Sequence, residues 1–198
     1  MEYVIMSLGG LVLAGGLGSR MGYKNKGLMP FGGQYLIDPA IQVLKKQCEY
    51  VAISANQDIQ HYQQKGLDVW SDYAPWLGLG PLGGVYSSVS QFPLSIDTIQ
   101  VLPCDSPFIS EQVIAKLSQQ LNLQYTKAVY AKSENQIYPV IFQFKRQDLG
   151  ELKQYLLTQS KHSIRQWLHH MQAVAIDFED DAQFININDF QTLQRYLA

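Results

Sequence analysis

The chain has 198 residues, enough for one domain spanning 1–198 that buries roughly 70% of its extended surface without disulfide or metal staples. Fifteen Lys plus Arg stand against 17 Asp plus Glu, with no block of like charge. That balance disfavours a nucleic-acid footprint or a polybasic membrane patch, but leaves room for an anionic small molecule held by local cations and backbone donors.

Short β-branched runs alternate with helical patterns, which predicts an α/β fold: a Rossmann-like three-layer sandwich with a mostly parallel, partly mixed sheet. The first strand is expected near Leu11–Ala14, followed by a glycine loop and a helix near Pro39–Gln47. Tyr50–Ser54 reads as a strand, Ile59–Gln64 as a short helix stopped by Gly66, and Leu67–Ser71 as a strand. The stretch DYAPWLGLGPLGG reads as a long loop before a helix near Val85–Gln91. Thr98–Leu102 is the next strand, and Ser110 is the expected cap of a helix through Leu121. Ala128–Lys132 and Tyr138–Phe144 form a predicted antiparallel pair across the turn SENQ. Helices near Asp148–Leu157 and Ser163–His170, a strand over Ala173–Phe178 and an extended Phe184–Ile187 follow. Asn188 or Asp189 caps a last helix whose Phe190, Leu193 and Leu197 share a face.

No apolar stretch is long enough to span a bilayer, and the opening MEYVIMSLGG carries Glu2 and no basic start, so it reads poorly as a signal peptide. Cys48 and Cys104 suit reduced thiols, and a cytoplasmic location is expected.

Ligands of open α/β sheets bind beyond the carboxyl ends of the strands. Here the first four strands run out into Gly15, Gly16 and Gly18, into Asn56, into Asp72 and into Asp105. Any one of these polar residues also suits a turn or cap. All of them together with a glycine loop point to a binding cleft. The loop is neither a Walker loop, since Gly22 is followed by Tyr23, nor a dinucleotide fingerprint, since Gly16, Gly18 and Gly22 miss that spacing by one. It is a long wrap, whose backbone N–H groups can line up on a polyphosphate while Arg20 and Lys26 neutralise it. A glycine-rich turn with two solvated cations is the bland alternative. Cys104 is better placed as a small buried residue than as a nucleophile. Lys161, His162 and Arg165 suit either a phosphate contact or a solvated helix start.

LAGG, three residues, RMG, three residues and then Lys26 resembles the signature loop of small nucleotidyltransferases. ISAN, GPLGGV, LPCDSPFI, YPVIF, HSIRQWL and FININDFQTL follow in the order found in the molybdenum cofactor guanylyltransferase family, so the likeness covers nearly the whole chain. The resemblance implies a nucleotide-diphospho-sugar transferase-like fold. It also implies GMP transfer from GTP to the phosphate of molybdopterin, with Mg²⁺, giving a guanine dinucleotide cofactor and pyrophosphate. It places Leu13, Ala14, Gly15 and Gly16 on the nucleotide-binding loop, while Gly18 and Arg20 join the phosphate site on the reading of the loop residues alone. Lys26 falls on the phosphate-contacting lysine, Asn56 and Asp72 on nucleotide-binding positions, and Asp105 on the metal-binding, catalytic aspartate. Cofactor-insertion and molybdoenzyme chaperone proteins are the implied protein partners. Asn25 departs from the pattern, because the family often has Asp before the lysine. CMP transfer to molybdopterin, nucleotidyl transfer to a sugar or polyol phosphate, and a non-catalytic cofactor-delivering adaptor are the rival functions.

Overall fold

The computed structural model describes residues 7–15, 25–123 and 126–196. Gly16, Gly18 and Arg20 of the glycine loop lie outside the described residues. The main sheet has seven strands, in the order β5-β4-β1-β6-β8-β7-β9. These are β1 (Leu8–Leu13), β4 (Tyr50–Ser54), β5 (Asp68–Trp70), β6 (Thr98–Pro103), β7 (Ala128–Lys132), β8 (Ile137–Lys145) and β9 (Val174–Asp177). A small antiparallel hairpin joins β2 (Pro30–Phe31) to β3 (Gln34–Tyr35). Strands β5, β4, β1 and β6 are parallel, and β8 alone among the seven runs against its neighbours. The sheet is therefore mostly parallel and partly mixed, as the alternation of patterns predicts. From β1 the chain winds outward to β4 and β5, then returns to β6 on the other side of β1. The gap between β1 and β6 is thus the topological switch point, where such sheets open a crevice.

Helices cover both faces. On one face α1 (Asp38–Gln47), α2 (Ile59–Gln63) and α4 (Glu111–Leu123) bury Ile41, Leu44, Tyr62, Ile114 and Leu117. On the other, α3 (Pro81–Val89), α5 (Leu149–Thr158) and α6 (Ile164–His170) bury Leu82, Val85, Val89, Leu152 and Trp167. Trp167 packs edge-on against both Phe142 and Phe144, so it is a core residue and not a stacking platform. Across the antiparallel β6–β8 pair, Gln143 Nε2 donates to the facing Gln100 Oε1 at 2.8 Å and to Ile114 O at 3.0 Å. A one-residue slip would strand those buried amides without partners, so the pair fixes the register.

Several boundaries differ from expectation. β1 begins at Leu8 and stops at Leu13, since Gly9 and Gly10 extend the buried strand that their lack of side chain disguised. Helix α3 begins at Pro81, not Val85. Its glycines look like breakers in sequence, yet they let the helix approach its neighbours closely. A Cβ at Gly83 would stand 2.5 Å from Trp76 O, and one at Gly84 would stand 2.6 Å from Ser54 Oγ. Phe184 ends a 3-10 turn over Asp181–Phe184 and is not extended. The last helix, α7 (Phe190–Arg195), is capped by Asp189, whose carboxylate accepts from Thr192 N at 2.7 Å. Ser110 precedes α4, and its hydroxyl donates to Gln183 Oε1.

A third, small core holds Met29, Leu36, Ile187 and Leu193, with Phe31 and Phe108 packed on it. Leu36 and Ile187 are fully buried there, each contributing about 1.5–3 kcal/mol. This cluster clamps the β2–β3 hairpin to α7. It thereby brings Lys26, just before the hairpin, next to Asn188, just before α7.

Candidate active site

A cleft of about 700 Å³ opens at the switch point. Leu13, Ala14 and Gly15 line it from β1, Ser54 and Asn56 from β4, Asp72 from β5, and Pro103, Cys104 and Asp105 from β6. The strand ends are tied together beyond the sheet itself. Ala14 N donates to Ser54 O at 2.8 Å, Cys104 N to Leu13 O at 3.1 Å, and Ala55 N to Trp70 O at 3.0 Å. The polar groups thus stand on a rigid rim.

Asp105 is 8% exposed. Its Oδ2 lies 3.2 Å from Lys26 Nζ, and its backbone oxygen accepts from Ile187 N at 2.8 Å. Lys26 also donates to Asn188 Oδ1 at 2.5 Å. Burial pushes the Asp105 carboxyl above the ordinary carboxylate range, while the Lys26 ammonium and the Asn186 amide pull against it. At the other end of the cleft, Asn56 and Asp72 clasp each other. Asn56 Nδ2 donates to Asp72 Oδ2 at 3.0 Å, and Asp72 N donates to Asn56 Oδ1 at 2.8 Å. Burial raises the Asp72 carboxyl too, opposed by the Asn56 bond.

Every site residue expected from sequence and described here therefore lies on one cleft: Leu13, Ala14, Gly15, Lys26, Asn56, Asp72 and Asp105. Cys104 lines the cleft, but burial first, and the Asp105 charge second, raise its thiol far above the neutral range, which removes it as a nucleophile. The basic residues Lys161, His162 and Arg165 line a separate pocket at the start of α6. Trp76 is buried against the Tyr86 ring and is not a platform in the cleft.

Further groups line the cleft beyond the residues assigned to it from the sequence. Gly80, Pro81 and Gly84 bring the N-terminus of α3 to the cleft, a partial positive charge suited to an anion. The signal was there, since Pro at the first helical position behind Gly is a helix-start pattern. Leu77 lines the rim at 65% exposure, and Val140 and Asn186 complete the wall. Lys26 is the one cation lining the cleft among the described residues, against the two carboxylates Asp72 and Asp105. A polyphosphate would therefore need further positive charge there. The donor set offers hard oxygen ligands around one buried carboxylate. Among the described residues no group of three or more His, Cys, Asp or Glu forms a metal cage of its own. That chemistry fits a cation such as Mg²⁺, which is commonly held by one or two carboxylates plus waters and phosphates. No helix among the described residues is long and apolar enough to cross a membrane.

Comparison with known proteins identifies the fold and the family. The fold is similar to that of the molybdopterin-guanine dinucleotide biosynthesis protein A of Archaeoglobus fulgidus, at a TM-score of 0.74 and 21% identity over 96% of each chain. It is also similar to a Mycobacterium tuberculosis protein solved in complex with manganese, at a TM-score of 0.70 and 14% identity over 97% of this chain and 98% of that one. In sequence, the chain is 33% identical over 186 residues to the molybdenum cofactor guanylyltransferase of Pasteurella multocida, covering 93% of this chain and 96% of that one. Residues 10–174, which carry every one of the strand-end groups above, match the MobA-like NTP transferase domain, and the chain belongs to that family of nucleotidyltransferases.

Proposed function

We propose that the chain transfers GMP from GTP to the phosphate of the molybdenum cofactor, releasing pyrophosphate and giving the guanine dinucleotide form. One observation carries the site assignment: Lys26 and Asp105, far apart in sequence, meet in a cleft rimmed by the ends of four parallel strands. Family membership and the full-length likeness to guanylyltransferases support GTP as donor.

The chemistry requires little proton transfer. A phosphate monoester has a second pKa of about 6, so the acceptor is largely dianionic near neutrality and needs no general base. Its oxygen forms a bond to the α-phosphorus of GTP while the bond to the pyrophosphate oxygen breaks. The obstacle is repulsion between anions, roughly 4 kcal/mol per unit charge pair at 4 Å and an effective dielectric near 20. Lys26 holds the triphosphate through its ammonium, which Asn188 aims. Arg20 and the backbone of Leu13, Ala14, Gly15, Gly16 and Gly18 are assigned the rest of the phosphate grip, and the α3 N-terminus lends partial positive charge. Asp105 would hold the magnesium ion, and Asn56 and Asp72 the nucleoside. The ion would supply charge neutralisation between the anionic reactants. The whole chain, 1–198, acts as one domain, in the cytoplasm, where its two free thiols are stable. Its product passes to cofactor-insertion and chaperone proteins.

The test is to incubate the purified protein and Mg²⁺ with a molybdopterin source and each nucleoside triphosphate in turn, and to identify the product by mass. A guanine dinucleotide from GTP supports the reading, and a cytidine product or no product refutes it.

A further inference from the structure

Both residues flanking Lys26 are held by α2. Asp58 stands at the N-cap of that helix, where its carboxylate would ordinarily accept a bond from the first helical turn. It makes no such bond. Instead its Oδ2 accepts from Asn25 Nδ2 at 3.1 Å. The Asp58 backbone is left-handed, at φ 51, an uncommon conformation for a residue with a side chain. Four positions on, Tyr62 is fully buried, and its hydroxyl donates to Asn25 Oδ1 at 2.5 Å. The same hydroxyl lies under Gly27, where a Cβ would stand 2.5 Å from it. Gly27 O in turn accepts from Ile37 N at 3.1 Å, at the start of α1. Asn25 thus spends its acceptor on Tyr62 and its donor on Asp58, and Gly27 lets the chain lie on the phenol. The chain is thus held on both sides of Lys26, at Asn25 by two side-chain bonds and at Gly27 by contact with the phenol.

We propose that Asp58 and Tyr62 are positioning residues for the nucleotidyl transfer, acting through Asn25 to set where the Lys26 ammonium meets the triphosphate. This inference rests on the phosphate-binding role given to Lys26 above. Position 25 must be an amide here, because a carboxylate would oppose Asp58 across about 3 Å. An N-cap that served helix stability alone would point the Asp58 carboxylate at α2, and it points at Asn25.

The test compares GTP·Mg²⁺ binding, KM and kcat, and thermal melting, for wild type, Asn25→Asp, Tyr62→Phe and the pair Asn25→Asp with Asp58→Asn. Asn25→Asp is expected to weaken GTP binding about tenfold while remaining folded at the assay temperature. The pair is expected to return to within about threefold of wild type, because an amide donor again faces a carboxylate, and the phenol still has its acceptor. Tyr62→Phe is expected to raise KM for GTP about threefold while remaining folded at the assay temperature. Wild-type GTP binding with an indifferent Asn25→Asp, or a pair no better than Asn25→Asp alone, overturns the inference by itself. A wild type that binds no GTP overturns the reading of Lys26 and this inference together.

Discussion

Lys26 Nζ lies 3.2 Å from Asp105 Oδ2, although 79 positions separate the two residues in the chain. Both side chains are largely buried, at 19% and 12% exposure, and Asn188 closes the group from a third segment. An isolated ion pair at such depth adds little net stability, because desolvation offsets the attraction. On the proposed function its value is positional: an ammonium and a carboxylate held together at the cleft, one to grip the triphosphate and one to hold the metal.

Lys26→Ala is expected to lower kcat/KM for GTP by about 10²–10³, the scale of losing one charged group that faces a reacting phosphate. Lys26→Arg is expected to restore only part of that, since a planar fork does not fit the site of a compact ammonium between Asp105 and Asn188. Pyrophosphate release measured against GTP concentration checks both.

Asp105→Asn separates activity from stability. Turnover should fall by about 10²–10³ and become nearly indifferent to added Mg²⁺. The stability difference between variant and wild type should change with pH. Burial raises the Asp105 carboxyl in the folded protein, so the native state binds this proton more tightly than the unfolded chain. The contribution is fully present at acid pH and is lost as pH rises through the raised folded value. Melting in magnesium-free buffer should therefore favour the variant increasingly from acid to neutral pH.

Gly83→Ala is expected to cost about 1–3 kcal/mol, the usual scale for overpacking. The new methyl would meet Trp76 O at 2.5 Å, and a backbone oxygen cannot rotate away. The rim that carries Leu77 would shift, and GTP affinity should fall together with the melting temperature. Denaturant melts and equilibrium binding measure the two effects.

Asn188 and Asp189 are adjacent but have separate tasks. Asn188→Ala should raise KM for GTP several-fold with little change in melting, because it frees Lys26 and leaves the α7 cap intact. Asp189→Ala should lower the melting temperature modestly and leave kinetics unchanged. The backbone bond from Thr192 holds the Asp189 carboxyl below the ordinary range. Its stabilisation is therefore present above the ordinary carboxylate pKa and lost as pH falls through the lowered one. Asp189→Ala should flatten that acid limb.

Much of this was legible in the residues. β4 lies where its β-branched run places it, and Asn56, Asp72 and Asp105 follow their strands into the cleft. The glycines of α3 were misleading, because helix propensity says nothing of the approach to Trp76 O and Ser54 Oγ that makes Gly necessary. The contact of Asn188 with Lys26 was hidden because it depends on the small core of Met29, Leu36, Ile187 and Leu193, a packing event between distant segments. For the same reason no pattern near Asn25 announced Asp58 and Tyr62. Periodicity reports which face of an element is buried, and long-range polar partners have no period.

A crystal structure of the chain with a non-hydrolysable GTP analogue and Mg²⁺ tests the central claim most directly. The account predicts the β- and γ-phosphates on Lys26 Nζ, the metal ion on Asp105, and the nucleoside beside Asn56 and Asp72. A nucleotide bound outside this cleft, such as at the basic pocket of Lys161 and Arg165, with Lys26 and Asp105 still paired, would contradict it.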